Sequence, residues 1–144
     1  MKQKTLTVEK RTVLFVDDDE IFLQSIERDF LDEPYNILFA KSGKEAFEIL
    51  QREQVHVIVT DMRMPEMTGL ELLETIIKMY PHIVSIVMSG YTETLTLQIA
   101  VTQEEIFRFI SKPWYLKGGF KKVLREAIDH YNLQSERDTV RRQN

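Results

Sequence analysis

The sequence has no cysteine. This excludes disulfide stapling, thiol nucleophiles and thiolate metal sites, and leaves carboxylates and the three histidines as side-chain ligands for any metal. It also suits a reducing, cytoplasmic location. Only five glycines and four prolines occur among 144 residues, too few for a repetitive or low-complexity polymer. No segment approaches the run of about 18 apolar residues that spans a bilayer. The opening MKQKTLTVEKRT lacks the apolar stretch of a secretion signal, so export and membrane insertion are not expected. Neither charge sign dominates: 19 basic residues face 23 acidic ones, for a net charge of -4. The last segment is mildly basic, but its basic residues are interleaved with acids, so direct nucleic-acid binding is not expected. A hydrophobic content of 43% is enough for one core in one soluble domain, and the length leaves no room for a second catalytic domain.

Short runs rich in Val, Ile and Phe at 13–16, 37–40, 55–60, 83–88 and 106–110 read as buried parallel strands, because covering both faces removes alternation. Periodic segments lie between them. Leu23, Ile26, Phe30 and Leu31 share one helical face; Ala46, Phe47, Ile49 and Leu50 form a second; Leu70, Leu73, Ile76, Ile77 and Tyr80 form a third. Ser42 with Glu45 and Thr68 with Glu71 have the spacing of capping boxes, and Pro81 marks a helix exit. A fourth helix over 92–102 is weaker because it is rich in threonine. From Lys117 a longer helix presents Phe120, Val123, Leu124, Ala127, Ile128 and Tyr131, after which the apolar stripe fades. Five strand–helix units predict an α/β fold with a five-stranded parallel sheet and five flanking helices. The expected organisation is an N-terminal extension (1–11), one domain (12–132) and a C-terminal helical extension or start of a linker (133–144).

In such sheets the functional crevice lies beyond the carboxyl ends of the strands. Asp17, Asp18 and Asp19 end the first strand, Asp61 the third and Ser89 the fourth, while Lys112 follows the fifth. Adjacent acids resist burial unless a cation or partner compensates, and oxygen-only ligands suit magnesium. Helix capping by Asp18 or Asp19 accounts for part of the triplet equally well. A carboxylate at Asp61 can attack phosphorus when a metal and an ammonium such as Lys112 neutralise the oxygens, and Ser89 can donate a hydrogen bond to a phosphoryl oxygen.

The motifs VLFVDDDE (13–20), VIVTDMRMPEMTG (57–69), VMSGY (87–91) and FRFISKPW (107–114) resemble those of a response-regulator receiver domain. The resemblance covers about residues 12–132 and implies a flavodoxin-like doubly wound sheet of order 2-1-3-4-5. It makes Asp61 the phosphoacceptor and Asp17 and Asp18 the acidic pair that holds Mg2+ (or Mn2+), with the Arg63 backbone carbonyl completing protein ligation. Ser89 takes the place of the family's hydroxyl residue, Lys112 of its lysine and Phe109 of its switch aromatic. Pro113 resembles the proline that follows the lysine, and the bond before it is expected to be cis. The implied partners are a sensor histidine kinase or phosphotransfer protein and an output domain or regulatory partner. A homodimer through the fourth helix, fifth strand and fifth helix is also implied. Phe109 stands where tyrosine is commoner and has no hydroxyl to bond when turned inward. Arg63 and Tyr91, each two residues past a reactive position, are expected to shape water access and phosphoryl lifetime. Trp114 is expected to anchor its loop.

Self-phosphorylation from a phosphodonor and self-dephosphorylation would make the domain catalytic, although its role is mainly regulatory. Two other readings stand beside this one. A pseudo-receiver would keep the fold and serve only protein interaction. A haloacid-dehalogenase-like phosphatase would use Asp17 and Asp19 as its DxD pair together with Ser89 and Lys112, with Asp17 as nucleophile, and would leave Asp61 unexplained.

Overall fold

The computed structural model describes residues 10–62, 69–89, 106–111 and 119–143. Their elements run β1 (Thr12–Val16), α1 (Glu20–Asp29), β2 (Asn36–Ala40), α2 (Gly43–Arg52), β3 (Val57–Asp61), α3 (Gly69–Met79), β4 (Val84–Ser89), β5 (Arg108–Ser111) and α4 (Gly119–Gln143). All four strand pairings are parallel, and the sheet order is β2-β1-β3-β4-β5. The expected doubly wound order 2-1-3-4-5 is therefore present. The expected helix over 92–102 and the Thr68 cap lie outside the described residues.

Although every residue of β1 is buried, the two-residue repeat of a strand still sorts its side chains between two layers. Val13 and Phe15 join Val57, Val59, Ile86 and Met88 beneath α1 and α4, which contribute Phe22, Ile26, Phe120 and Leu124. Leu14, Val16 and Ile58 face the opposite layer with Ile49 and Leu50 of α2 and Leu72 and Ile76 of α3. Phe15, Phe30 and Phe120 meet edge to face with centroids 5.7–6.1 Å apart, the arrangement that aromatic quadrupoles favour. These two layers clamp the central strands and fix where β1 and β3 end.

Three sequence expectations are corrected. Leu31 is 76% exposed instead of core-facing, because α1 stops at Asp29 with Phe30 as its C-cap, so the helical period does not carry one residue further. The third strand begins at Val57, not at residue 55: Val55 is buried but precedes the first register pair, Val13 with Val57. At the start of α2, Ser42 Oγ accepts from the Glu45 amide at 3.1 Å. The returning acid Glu45 instead accepts from the Lys41 amide, one residue before the cap. The last helix continues past Tyr131, where its apolar stripe fades, to Gln143.

Candidate functional site

Each acid of the first triplet does different work. The Asp17 amide donates to the Ala40 carbonyl at 3.0 Å, continuing the ladder one residue past β1 and holding the Asp17 side chain in the interior. Its Oδ1 accepts the Asp19 amide at 2.9 Å, which turns the chain sharply. Asp19 Oδ1 in turn accepts the amides of Ile21 and Phe22 at 3.0 and 3.2 Å, so this carboxylate is the N-cap of α1. Asp18 stands exposed between them. Of the two readings of the triplet, capping belongs to Asp19, and Asp17 and Asp18 are left to face the rim.

Asp61 is the last residue of β3 and lies in register with Met88 of β4. The ladder runs on through the Met62 amide, which donates to the Met88 carbonyl at 3.2 Å. Thr60 Oγ1 donates to the Asp61 carbonyl at 3.0 Å. Asp61 is 7% exposed. Two strand ends thus bring carboxylate oxygens of Asp17, Asp18 and Asp61 within 4.8 Å of one another. Like charges this close raise the cost of ionisation, and hard oxygen donors at such spacing match the coordination demands of a small divalent cation. The donor set fits magnesium.

Ser89 ends β4, where its backbone is in register with Ser111 at the end of β5. Arg63, Tyr91, Lys112, Pro113 and Trp114 lie outside the described residues. Phe109, in register with Val87, is half-buried against the cluster of Met62, Leu73, Val87 and Ile106. This cluster includes Met62, the residue directly after Asp61, so a packing path links the acidic rim to the aromatic side chain.

Sequence reasoning passed over an ion pair at the same rim. Lys41, just past β2, bonds Glu20 at the start of α1, and this contact raises the lysine's pKa. Both side chains are more than half exposed, so the pair adds little stability. Its only sequence signal was a basic residue one position past a strand end. The phosphatase reading loses its geometry here. A DxD pair needs both acids aimed at the substrate, yet Asp19 turns to its own helix while Asp18 joins Asp17 and Asp61.

Comparison with known proteins agrees with this arrangement. The family model of the response regulator receiver domain matches residues 13–124. The hydrogenase transcriptional regulatory protein HoxA of Cupriavidus necator is 36% identical over 128 residues, covering 89% of this chain and 26% of that protein. The transcriptional regulatory protein GlrR of Escherichia coli K12 is 33% identical over 123 residues, covering 85% of this chain and 26% of that protein. The chain thus spans about a quarter of the length of these curated relatives. The signal receiver domain of an HD domain-containing protein from Pseudomonas fluorescens Pf-5 superposes with a TM-score of 0.79 at 28% identity, covering 86% of this chain and 98% of that one. With the sheet order, the acid cluster at the strand ends and a family match over most of its length, the chain belongs to the response regulator receiver domain family.

Proposed function

We propose that this domain is a phosphorylation switch in which Asp61 accepts a phosphoryl group from a histidine kinase or phosphotransfer protein. The observation that carries the reading is the buried position of Asp61 at a strand end, with the carboxylates of Asp17 and Asp18 within 4.8 Å. In the transfer, an oxygen of the Asp61 carboxylate forms a bond to phosphorus as the nitrogen–phosphorus bond of the donor phosphohistidine breaks. The released imidazole nitrogen takes up a proton. Water later attacks phosphorus, and inorganic phosphate leaves as the carboxylate is restored.

Asp17, Asp18 and Asp61, with the Arg63 carbonyl, would hold Mg2+ (or Mn2+), which when bound neutralises charge on the transferring oxygens. The buried frame of Asp17 keeps the carboxylates oriented before the donor arrives, a preorganisation that lowers the cost of reaching the transition state. Lys112 supplies an ammonium to the added phosphoryl charge and Ser89 a hydroxyl. Once Ser89 is drawn inward, Phe109 turns into the vacated space beside Val87 and Ile106 and alters the face made by the expected helix over 92–102, β5 and α4. That face is assigned to partner contact, including a homodimer, and passes the signal to an output domain. The reading places the switch in the cytoplasm, working through protein contacts and not through nucleic acid. It is in keeping with this that no helix among the described residues is long and apolar enough to cross a membrane.

Incubation with a small phosphodonor and Mg2+, followed by peptide mapping, tests the assignment. Label is expected on Asp61, to vanish in Asp61→Asn and to persist in Asp19→Asn. Label on Asp17 would transfer the chemistry to the phosphatase mechanism. Absence of label with both the small donor and a competent kinase would leave a domain used for protein interaction alone.

A further inference from the structure

The acid rim carries a further carboxylate that the proposed chemistry does not use. Glu20 is the first residue of α1, two positions after Asp18, and its side chain is more than half exposed. A flexible, exposed carboxylate this close in the chain to Asp18 is an additional oxygen ligand for a cation at the rim unless something holds it elsewhere. Lys41 Nζ bonds Glu20 Oε1. We propose that Lys41 is a positioning residue that holds Glu20 off the cation site, and that the pair thereby sets the preference of the site for Mg2+ over Ca2+. The inference rests on the reading of Asp17, Asp18 and Asp61 as the ligands of the cation.

Three observations carry it. The first is direction. The sheet order β2-β1-β3 places β1 in the middle, so Lys41, just past β2, and Asp61, at the end of β3, flank it on opposite sides. The carboxylates of Asp17, Asp18 and Asp61 gather within 4.8 Å of one another across the ends of β1 and β3. The bond to Lys41 therefore draws Glu20 toward the β2 side and away from Asp61. The second is anchorage. The Ala40 carbonyl, immediately before Lys41, accepts the Asp17 amide at 3.0 Å, and the Lys41 amide donates to Glu45 Oε1 at 3.3 Å. The backbone that carries the ammonium is thus fixed against the same residue that supplies the buried carboxylate of the cluster. The third is coordination chemistry. Mg2+ holds to octahedral geometry and keeps several waters beside one or two carboxylates, whereas Ca2+ takes about six to eight oxygens in looser geometry. A glutamate arm released at the open side of the cluster adds a ligand that Ca2+ can use and for which Mg2+ has little room. A change of charge alone acts alike on two ions of equal charge, so the ratio of their affinities separates an added ligand from a shifted potential.

Calorimetric titration of the chain with Mg2+ and with Ca2+ tests the proposal. In Lys41→Met the ratio of Ca2+ to Mg2+ affinity is expected to rise about fivefold, a coupling of the size found between residues in contact. Combining Lys41→Met with Glu20→Gln is expected to return the ratio to its parent value. Affinities for both ions that rise together in Lys41→Met, leaving the ratio unchanged, overturn the proposal, because Lys41 then acts through its charge alone. A raised ratio that persists when Glu20 is also replaced overturns it as well. Asp17→Asn distinguishes this failure from failure of the underlying reading. Mg2+ binding that survives Asp17→Asn moves the cation elsewhere and removes both, whereas binding lost in Asp17→Asn beside an unchanged ratio in Lys41→Met removes the role of Lys41 alone.

Discussion

At the amino edge of the sheet the buried acid Glu33 meets a base: Arg125 of α4 grips its two oxygens at 3.0 and 2.8 Å. At the carboxyl edge Asp17 and Asp61, equally removed from solvent, share a 4.8 Å neighbourhood with a third carboxylate, Asp18. The same side-chain chemistry thus meets a guanidinium at one end and neighbouring carboxylates at the other. Burial of a carboxylate is tolerable when hydrogen bonds and opposite charge replace water. Where like charges converge, a cation offsets their repulsion. One end of the molecule pairs its acid with a base, and the other gathers its acids at one rim.

Between these ends lies the aromatic knot of Phe15, Phe30 and Phe120, and breaking it gives the largest expected effect. Phe120 is 1% exposed and packs edge to face with both partners. Phe120→Ala is expected to cost about 3–5 kcal/mol, the usual toll of a large aromatic cavity. Urea unfolding measures it. A loss below about 1 kcal/mol would mean that the layer collapses to fill the space, and that the knot does not hold α4 against β1.

The next effect separates the two edges directly. With Mg2+ at about a hundredfold excess over its dissociation constant, a ligand that binds only the folded state adds about 2.7 kcal/mol to its stability. Asp17→Asn is expected to abolish most of this increment, and Glu33→Gln to leave it intact while lowering stability in both conditions. Unfolding titrations with and without the ion give all three values. An increment that survives in Asp17→Asn would move the cation away from the acid cluster.

Much of this contrast was legible in the residues themselves. The triplet at 17–19 and the distant Asp61 were visible as acids after apolar runs, and parallel pairing explains why they converge at one rim. Which acid caps the helix was not legible, because Asp18 and Asp19 offer the same acceptor oxygens and differ only in the turn that Asp17 Oδ1 imposes through the Asp19 amide. Leu31 satisfied the helical period and still lies in solvent, since periodicity cannot see where a helix stops. Leu72 lies outside the stripe marked in α3 and is fully buried, because α3 is covered by the sheet over a wider arc than its seam of Leu73 and Ile76. The amino edge left almost no signal. Glu33 and Arg125 are 92 residues apart, and the contacts of Arg11 with Tyr131 and Asn132 join the two ends of the domain. No local rule connects such positions.

The smallest effect tests whether the amino-edge pair behaves as its geometry requires. Hydrogen bonds from Arg125 hold the Glu33 carboxyl below its ordinary pKa of 4.5 against the opposing pull of burial. Burial and the negative charge of Glu33 push the neighbouring Tyr35 hydroxyl upward. Because the Glu33 pKa is depressed on folding, its stabilisation is fully present above the unfolded-state value and is lost as pH falls through the folded one. Arg125→Met removes the guanidinium but leaves the carboxylate buried, so its pKa should rise above the unfolded value and its contribution should turn unfavourable at neutral pH. The variant is expected to be slightly less stable at pH 7, the loss being small because Arg125 is 60% exposed. The deficit should shrink as protonation neutralises Glu33 in both proteins, and the two stability curves should converge in acid. Unfolding measured from pH 3 to pH 7 decides the matter, and a deficit constant across that range would show that Arg125 acts through the packing of its aliphatic stem and not through its charge.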